Sequence, residues 1–202
     1  MQALRERILR NLAGFERIAI DDNHLRPAAV AILLTPVADE PTFALTRRAL
    51  TMRRGAGNYA LPGGGVEPGE DAIDAALRET AEELGVGGLA REAALGLLDD
   101  FRTLGGHRVT PVIVWSSEPV TLVPDPTEVG EAWLVPVADL DHPDAPMSEA
   151  HPEGGEPILR MFARGSWLNP PTAAFLYQFR EVALHGRPVR VASIGQPPWT
   201  AR

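Results

Sequence analysis

Leu4, Ile8, Leu9 and Leu12 recur at helical spacing, and the pattern predicts an amphipathic helix over about residues 2–14 that caps the domain. Residues 27–34, a proline followed by AAVAILL, form a short uninterrupted apolar run of the kind a central strand buries on both faces. TFALTRR, from Thr42, predicts its hairpin partner across the turn VADEP. A second helical stripe, Ile73, Ala76, Leu77, Thr80 and Leu84, predicts a helix from about residue 70 to residue 84 that lays this face on a sheet. Further strands are expected near residues 93–99, at 108–115 with Pro111 marking an edge or a bulge, and at 131–137 before a short turn. Behind Pro170 and Pro171 the helical period returns, predicting a C-terminal helix over about residues 170–185. The polar stretch at 141–157, rich in Pro and Gly, predicts a long surface loop, and the final GQPPWTAR reads as extended and peripheral. Trp115, Trp133, Phe175 and Tyr177 fall at core positions and are expected to pack.

Composition narrows the classes. A chain of 202 residues without a compositional break reads as one domain, residues 1–202, with room for a sizeable core. The net charge of −8 argues against general affinity for nucleic acid or an anionic membrane, so an anionic ligand would have to be met locally. With no cysteine, a metal ion would sit on oxygen or imidazole, and a reducing cytoplasm is the expected location. The charged MQALRERILRNLAGF has no apolar core of a signal, and no run approaches the roughly 18 apolar residues of a membrane span. Neither export nor anchoring is expected. Five scattered histidines show no ligand spacing, and His107 is placed in a hairpin turn without a role.

The helix expected at 70–84 contains a local contradiction. Glu79, Glu82 and Glu83 stand at i, i+3 and i+4, where like charges cost about 0.2–0.5 kcal/mol per pair. With Gly85 as the natural C′ residue they also occupy the final turns, where the macrodipole disfavours anions by roughly 0.3–1 kcal/mol each. Arg78 reaches Glu82 at i+4 but cannot neutralise all three. A hard divalent cation, Mg2+ or Mn2+, supplies what is missing, since such ions gather carboxylate oxygens that otherwise repel. Gly63, Gly64 and Gly65 just before the helix let the main chain approach a ligand or metal closely. Taken singly, the acidic face is also compatible with a solvated surface, and the glycines with a plain tight turn.

Gly64, Glu70, Arg78, Glu79, Glu82, Glu83, Gly85 and Val86 together resemble the Nudix box, spanning residues 64–86. The departure is Thr80, where that family usually carries an aliphatic residue. The resemblance implies an α/β fold, an α/β/α sandwich with a central mixed β-sheet, and hydrolysis of a nucleoside diphosphate linked to another moiety. It also implies that Glu79, Glu82 and Glu83 hold the divalent ions with the Gly64 carbonyl, and that Arg78 orients the glutamates. The general base is a glutamate of this cluster or one on a later loop, Glu128 or Glu131.

Arg47, Arg48, Arg53 and Arg54 fall within eight positions of an otherwise acidic chain and form a candidate anion site with Gly63 and Gly64; an exposed loop made soluble by its arginines is the competing explanation. The stretch Leu45, Thr46, Arg48, Arg53, Arg54, Ala56, Gly57 and Pro62 to Gly64 is similar to the segment preceding the box in the coenzyme A diphosphatase branch of the same family. RPAAVAILL, VTPVIV, EVGEAWLVPVADL and TAAFLYQF extend the likeness over most of residues 26–185, with Gly55 in place of the usual histidine and Leu61 in place of phenylalanine. The resemblance implies cleavage of coenzyme A or an acyl-CoA to 3′,5′-ADP and phosphopantetheine. Two alternatives stay open: a hydrolase of ADP-ribose or an oxidised nucleotide, and a non-catalytic nucleotide-binding regulatory module. The partner expected is a small molecule, not nucleic acid or membrane, and a homodimer is left open.

Overall fold

The apolar run after Pro27 becomes a central strand because both of its faces are covered. In the computed structural model, which describes residues 1–52 and 54–201, β1 (Arg26–Val37) sends Ala29, Ala31 and Leu33 into one core cluster and Ala28, Ile32 and Leu34 into another. That is strand alternation with no polar face, as burial on both sides requires. The expected hairpin forms: β2 (Glu40–Arg48) lies antiparallel to β1 with Val37 opposite Glu40. Ala38 and Asp39 join them at φ 48 and 66, the paired left-handed residues of a two-residue turn whose twist matches the strands.

The short strands β3 (Tyr59–Ala60) and β4 (Gly63–Gly65) pair antiparallel with β2 and β1. Beyond them in sequence, β5 (Ala94–Leu97) and β6 (Phe101–Arg102) flank β7 (His107–Trp115), which runs parallel to β1 along its length. With β8 (Val129–Pro136) antiparallel to β2, these make a mixed sheet of eight strands. Pro111 does not mark an edge. Its carbonyl accepts the Leu98 N–H at 3.0 Å, so the nitrogen that lacks a proton faces the gap where β5 gives way to β6, and β7 stays central.

Three helices complete the sandwich. α2 (Ala72–Leu84) covers one face through Ala75, Ala76 and Leu84; α1 (Gln2–Ala13), through Ile8, and α3 (Thr172–Gln178), through Phe175 and Leu176, cover the other. The C-terminal helix departs from its expected form, since after Gln178 it widens into a buried π-helical segment, Phe179–Leu184. The loop expected at 141–157 is corrected in part. It contains β9 (Met147–Glu149), which pairs with β10 (Ile158–Ala163), itself paired with β11 (Ser166–Leu168) in a second, three-stranded sheet. The tail is corrected as well: Gly195 bridges Ile158 and residues Pro198–Ala201 form a 3-10 turn against the body of the protein. Among the described residues, no helix is long and apolar enough to cross a membrane.

Candidate active site

α2 is fixed at both ends by side chains its own sequence supplies. Asp71 is the N-cap, accepting from the N–H groups of Ile73 (2.9 Å) and Asp74 (3.1 Å), and Asp74 closes a capping box on the Asp71 N–H. Arg91 braces both carboxylates from the loop beyond the helix. At the other end Gly85 takes φ 68 and ends the helix in a left-handed turn. Two carbonyls of the last turn are then satisfied from a distant loop, since the Val123 N–H donates to Leu84 (2.7 Å) and the Asp125 N–H to Glu83 (3.0 Å). The helix end that carries the excess of anions is thereby covered by backbone donors.

The three glutamates do not all stand on the solvent face. Ala76, Thr80 and Glu83 are spaced i, i+4 and i+7, so the packing stripe runs through Glu83, which is only 4% exposed, while Ile73 and Leu77 of the expected stripe are half-buried. Glu79 is half-buried and Glu82 exposed. The carboxylates therefore lie along the edge of α2 that meets the glycine strand β4. Thr80, the departure from the family pattern, is fully buried, and its hydroxyl donates to the Ala76 carbonyl at 2.7 Å, which leaves no polar group unpaired.

The close approach between β4 and α2 is what the glycines make available. A Cβ on Gly64 would lie 2.3 Å from Oε1 of Glu79, and one on Gly63 would lie 2.3 Å from the Ala29 carbonyl oxygen. The Gly63 N–H instead donates to Oε2 of Glu83 at 3.1 Å. Arg78 uses all its donors here. Nε and a terminal nitrogen hold Glu70, another terminal N–H pair reaches Glu79 (2.9 Å) and Glu82 (2.8 Å), and the last donor reaches the Gly65 carbonyl (2.8 Å). The pairing of Glu70 with Arg78, eight residues on, is a tertiary arrangement.

Charge compensation is uneven. Burial is the main cause that pushes the Glu83 carboxyl up to about 7, aided by the carboxylates of Glu79 and Glu128 and opposed by the Gly63 N–H and Arg48. Burial also raises Glu79, with Arg78 opposing and Glu82 and Glu128 reinforcing. Glu128, exposed at the head of β8, thus lies within Coulombic reach of both, while Glu131 is held by Arg47 at 3.3 Å. Among the described residues, no three acidic or imidazole side chains converge as a ready-made cage for a metal ion. Arg78 draws Glu79 and Glu82 to itself while Glu83 turns to Gly63. The donor set nonetheless suits a hard divalent cation: it is all oxygen, and Glu83 is a buried carboxylate with one N–H donor and two like charges near it.

Next to this cluster, a cavity of about 450 Å³ is lined by Arg48, Arg54, Tyr59, His107, Trp167 and Trp199, among others. Strand alternation separates the two adjacent arginines of β2. Arg48 lines the cavity; Arg47 turns away, donates to the Gly57 carbonyl (3.1 Å) and pairs with Glu131. Of the four arginines expected at an anion site, Arg48 and Arg54 are brought together, Arg47 is not, and Arg53 lies outside the described residues. Gly55 has φ 63, a conformation that accounts for glycine at this position, and Leu61 is 3% exposed in the core. His107, given no role in the sequence, stands on the cavity wall, as do Trp167 and Trp199 from the C-terminal part of the chain. Nothing local in the sequence marks these three, because they meet only through the fold.

Comparison with known proteins agrees with this geometry. The NUDIX domain family pattern matches residues 25–154. The chain is 34% identical over 120 residues to the uncharacterized Nudix hydrolase NudL of Photorhabdus laumondii, the match covering 59% of this chain and 62% of the relative. It is 30% identical over 144 residues to Nudix hydrolase 3 of Caenorhabditis elegans, covering 67% and 60%. The chain thus spans about three fifths of the length of these relatives. Among solved structures, the RenU Nudix hydrolase from M. smegmatis shares the fold with a TM-score of 0.53 at 22% identity, over 82% of this chain and 89% of that one.

Proposed function

The chain belongs to the NUDIX domain family, and on that premise we propose that it hydrolyses the diphosphate of a nucleoside diphosphate derivative, specifically coenzyme A or an acyl-CoA, to 3′,5′-ADP and (acyl-)4′-phosphopantetheine. The observation that carries this reading is the position of Arg48: one guanidinium acts on the buried Glu83 and also lines the adjoining cavity. An anion held there lies beside the carboxylate cluster. Glu79, Glu82, Glu83 and the Gly64 carbonyl would hold Mg2+ or Mn2+, which when bound neutralises diphosphate charge and acidifies water. Arg78 sets Glu79 and Glu82 in place while anchored to the Gly65 carbonyl of β4. Gly63 and Gly64 keep the main chain close enough for Glu79 and Glu83 to reach the substrate side of β4. Arg48 and Arg54 bind the phosphates as charge-assisted donors. Glu128 takes the proton of the attacking water, since Glu131 is occupied by Arg47. The whole chain acts as one domain in the cytoplasm.

Mass spectrometry of products from CoA with Mg2+ or Mn2+ tests this directly. The expected fragments are 3′,5′-ADP and 4′-phosphopantetheine, lost in Glu82→Gln. Turnover of ADP-ribose equal to that of CoA would move the substrate assignment, and stoichiometric nucleotide binding without turnover would replace the enzyme with a binding module.

A further inference from the structure

In a chain of net charge −8, no Asp or Glu is among the described residues lining the cavity beside Arg48. Arg48 and Arg54 both face it, and neither pairs with a carboxylate among the described residues, whereas Arg17, Arg47, Arg78, Arg91 and Arg102 all do. Unpaired guanidinium groups in a concave site lined by few competing anions are poised for an anionic ligand. The two cations face different neighbours. Arg48 acts on Glu83; burial, with Arg26 and Arg54, holds the His107 imidazole below its ordinary value.

The same cavity offers aromatic surface. Tyr59, Trp167 and Trp199 contribute to its wall, and Trp199 stays 46% exposed although an indole is usually covered. Tyr59 is steadied by Trp133, with ring centroids 5.9 Å apart, and Trp167 by Phe162 at 5.3 Å. Rigid rings beside unpaired cations match a planar base carrying phosphate. The wall also has two origins. Arg48, Arg54, Tyr59 and His107 belong to the segment that matches the family, residues 25–154; Trp167 and Trp199 lie beyond it.

We infer that this cavity seats the nucleoside half of the substrate, with the base against the indole and phenol rings and a phosphomonoester, separate from the scissile diphosphate, at Arg54. Affinity for the nucleoside comes in part from the C-terminal wall. The inference rests on the proposed hydrolase reading only in facing Arg48 toward the diphosphate; recognition of base and phosphomonoester requires no turnover.

Calorimetric titration of the full chain with 3′,5′-ADP and with 5′-AMP, run without metal, separates the two. The wild type is expected to bind 3′,5′-ADP at least about tenfold more tightly than 5′-AMP, a difference of about 1.4 kcal/mol. Arg54→Gln should shrink that preference to about twofold, and Trp199→Ala should weaken both nucleotides alike, while Arg7→Gln on the exposed face of α1 serves as the charge control. Equal affinities in the wild type, or a preference that survives Arg54→Gln, would overturn the inference. Nucleotide preference without CoA hydrolysis would sink the enzymatic reading alone; CoA hydrolysis without the preference would sink this one alone.

Discussion

Glu83 and Glu181 are almost equally buried, 4% and 5% exposed, yet the protein treats them in opposite ways. Glu181 sits in the π-helical segment between two arginines: Arg180 donates to it at 2.7 Å and Arg187 at 2.9 Å, and Arg180 is itself tied to the carbonyls of Leu140 and Ala145. The Arg187 hydrogen bond is the first cause that holds the Glu181 carboxyl below its ordinary value, and Arg180 adds to it against the cost of burial. Glu83 has one backbone N–H, two carboxylates and only the unbonded Arg48 cation for neighbours, and burial pushes it up to about 7. Complete compensation makes a structural ion pair. Incomplete compensation leaves an excess of negative charge that a divalent cation can offset, and perturbed carboxylates of this kind concentrate at functional sites.

The largest effect is expected on the structural side of the contrast. Glu181→Ala leaves the buried Arg180 without its partner and should cost about 3–5 kcal/mol in denaturant unfolding, with no change in the metal concentration that half-saturates activity. An intact stability would show that Glu181 is compensated elsewhere. On the functional side, Glu83→Gln should reduce CoA hydrolysis by about a hundredfold or more, while the protein melts no lower than the wild type in EDTA.

The pH dependence should have opposite signs for the two residues. Because folded Glu83 keeps its proton to a higher pH than the unfolded chain, the stability it contributes is full below about 4.5 and is lost as pH rises toward 7. In EDTA, Glu83→Gln should therefore gain on the wild type between pH 5 and pH 8, by an amount on the order of 2–3 kcal/mol, and added Mg2+ should narrow the gap. Glu181, held below its ordinary value, contributes stability above about 4.5 that is lost as pH falls through its folded value, so Glu181→Gln should differ most from the wild type near neutrality. Melting curves of the three proteins across pH check both signs. The smallest effect is expected for Gly64→Ala. Its Cβ meets the flexible end of Glu79, so the fold should persist while hydrolysis drops by about tenfold; unchanged activity would separate Glu79 from the reaction.

Much of α2 and its surroundings is legible in the residues alone. Asp71, Gly85 and the spacing of the glutamates carry helix start, helix end and a shared edge within a few residues of one another. The hairpin at Ala38 and Asp39 and the doubly buried β1 follow from equally local signals. The inward turn of Glu83 is also readable, since it stands seven residues from Ala76, but a glutamate invites assignment to the solvent face. The second sheet is not: β9 is three residues inside a polar stretch, too short for a period to show. Nor is the division of Arg47 from Arg48, which depends on Glu131 from another strand.

The sequence by itself determined the repeating elements, the ends of α2 and the concentration of carboxylate beside glycine, because these follow from caps, turns and periodicities acting over a few residues. Only the tertiary structure decided which arginine is free and what walls the cavity. Residues 48, 107, 167 and 199 lie far apart along the chain, and their meeting is set by how the sheet and the C-terminal segment pack, a long-range outcome that no local spacing encodes.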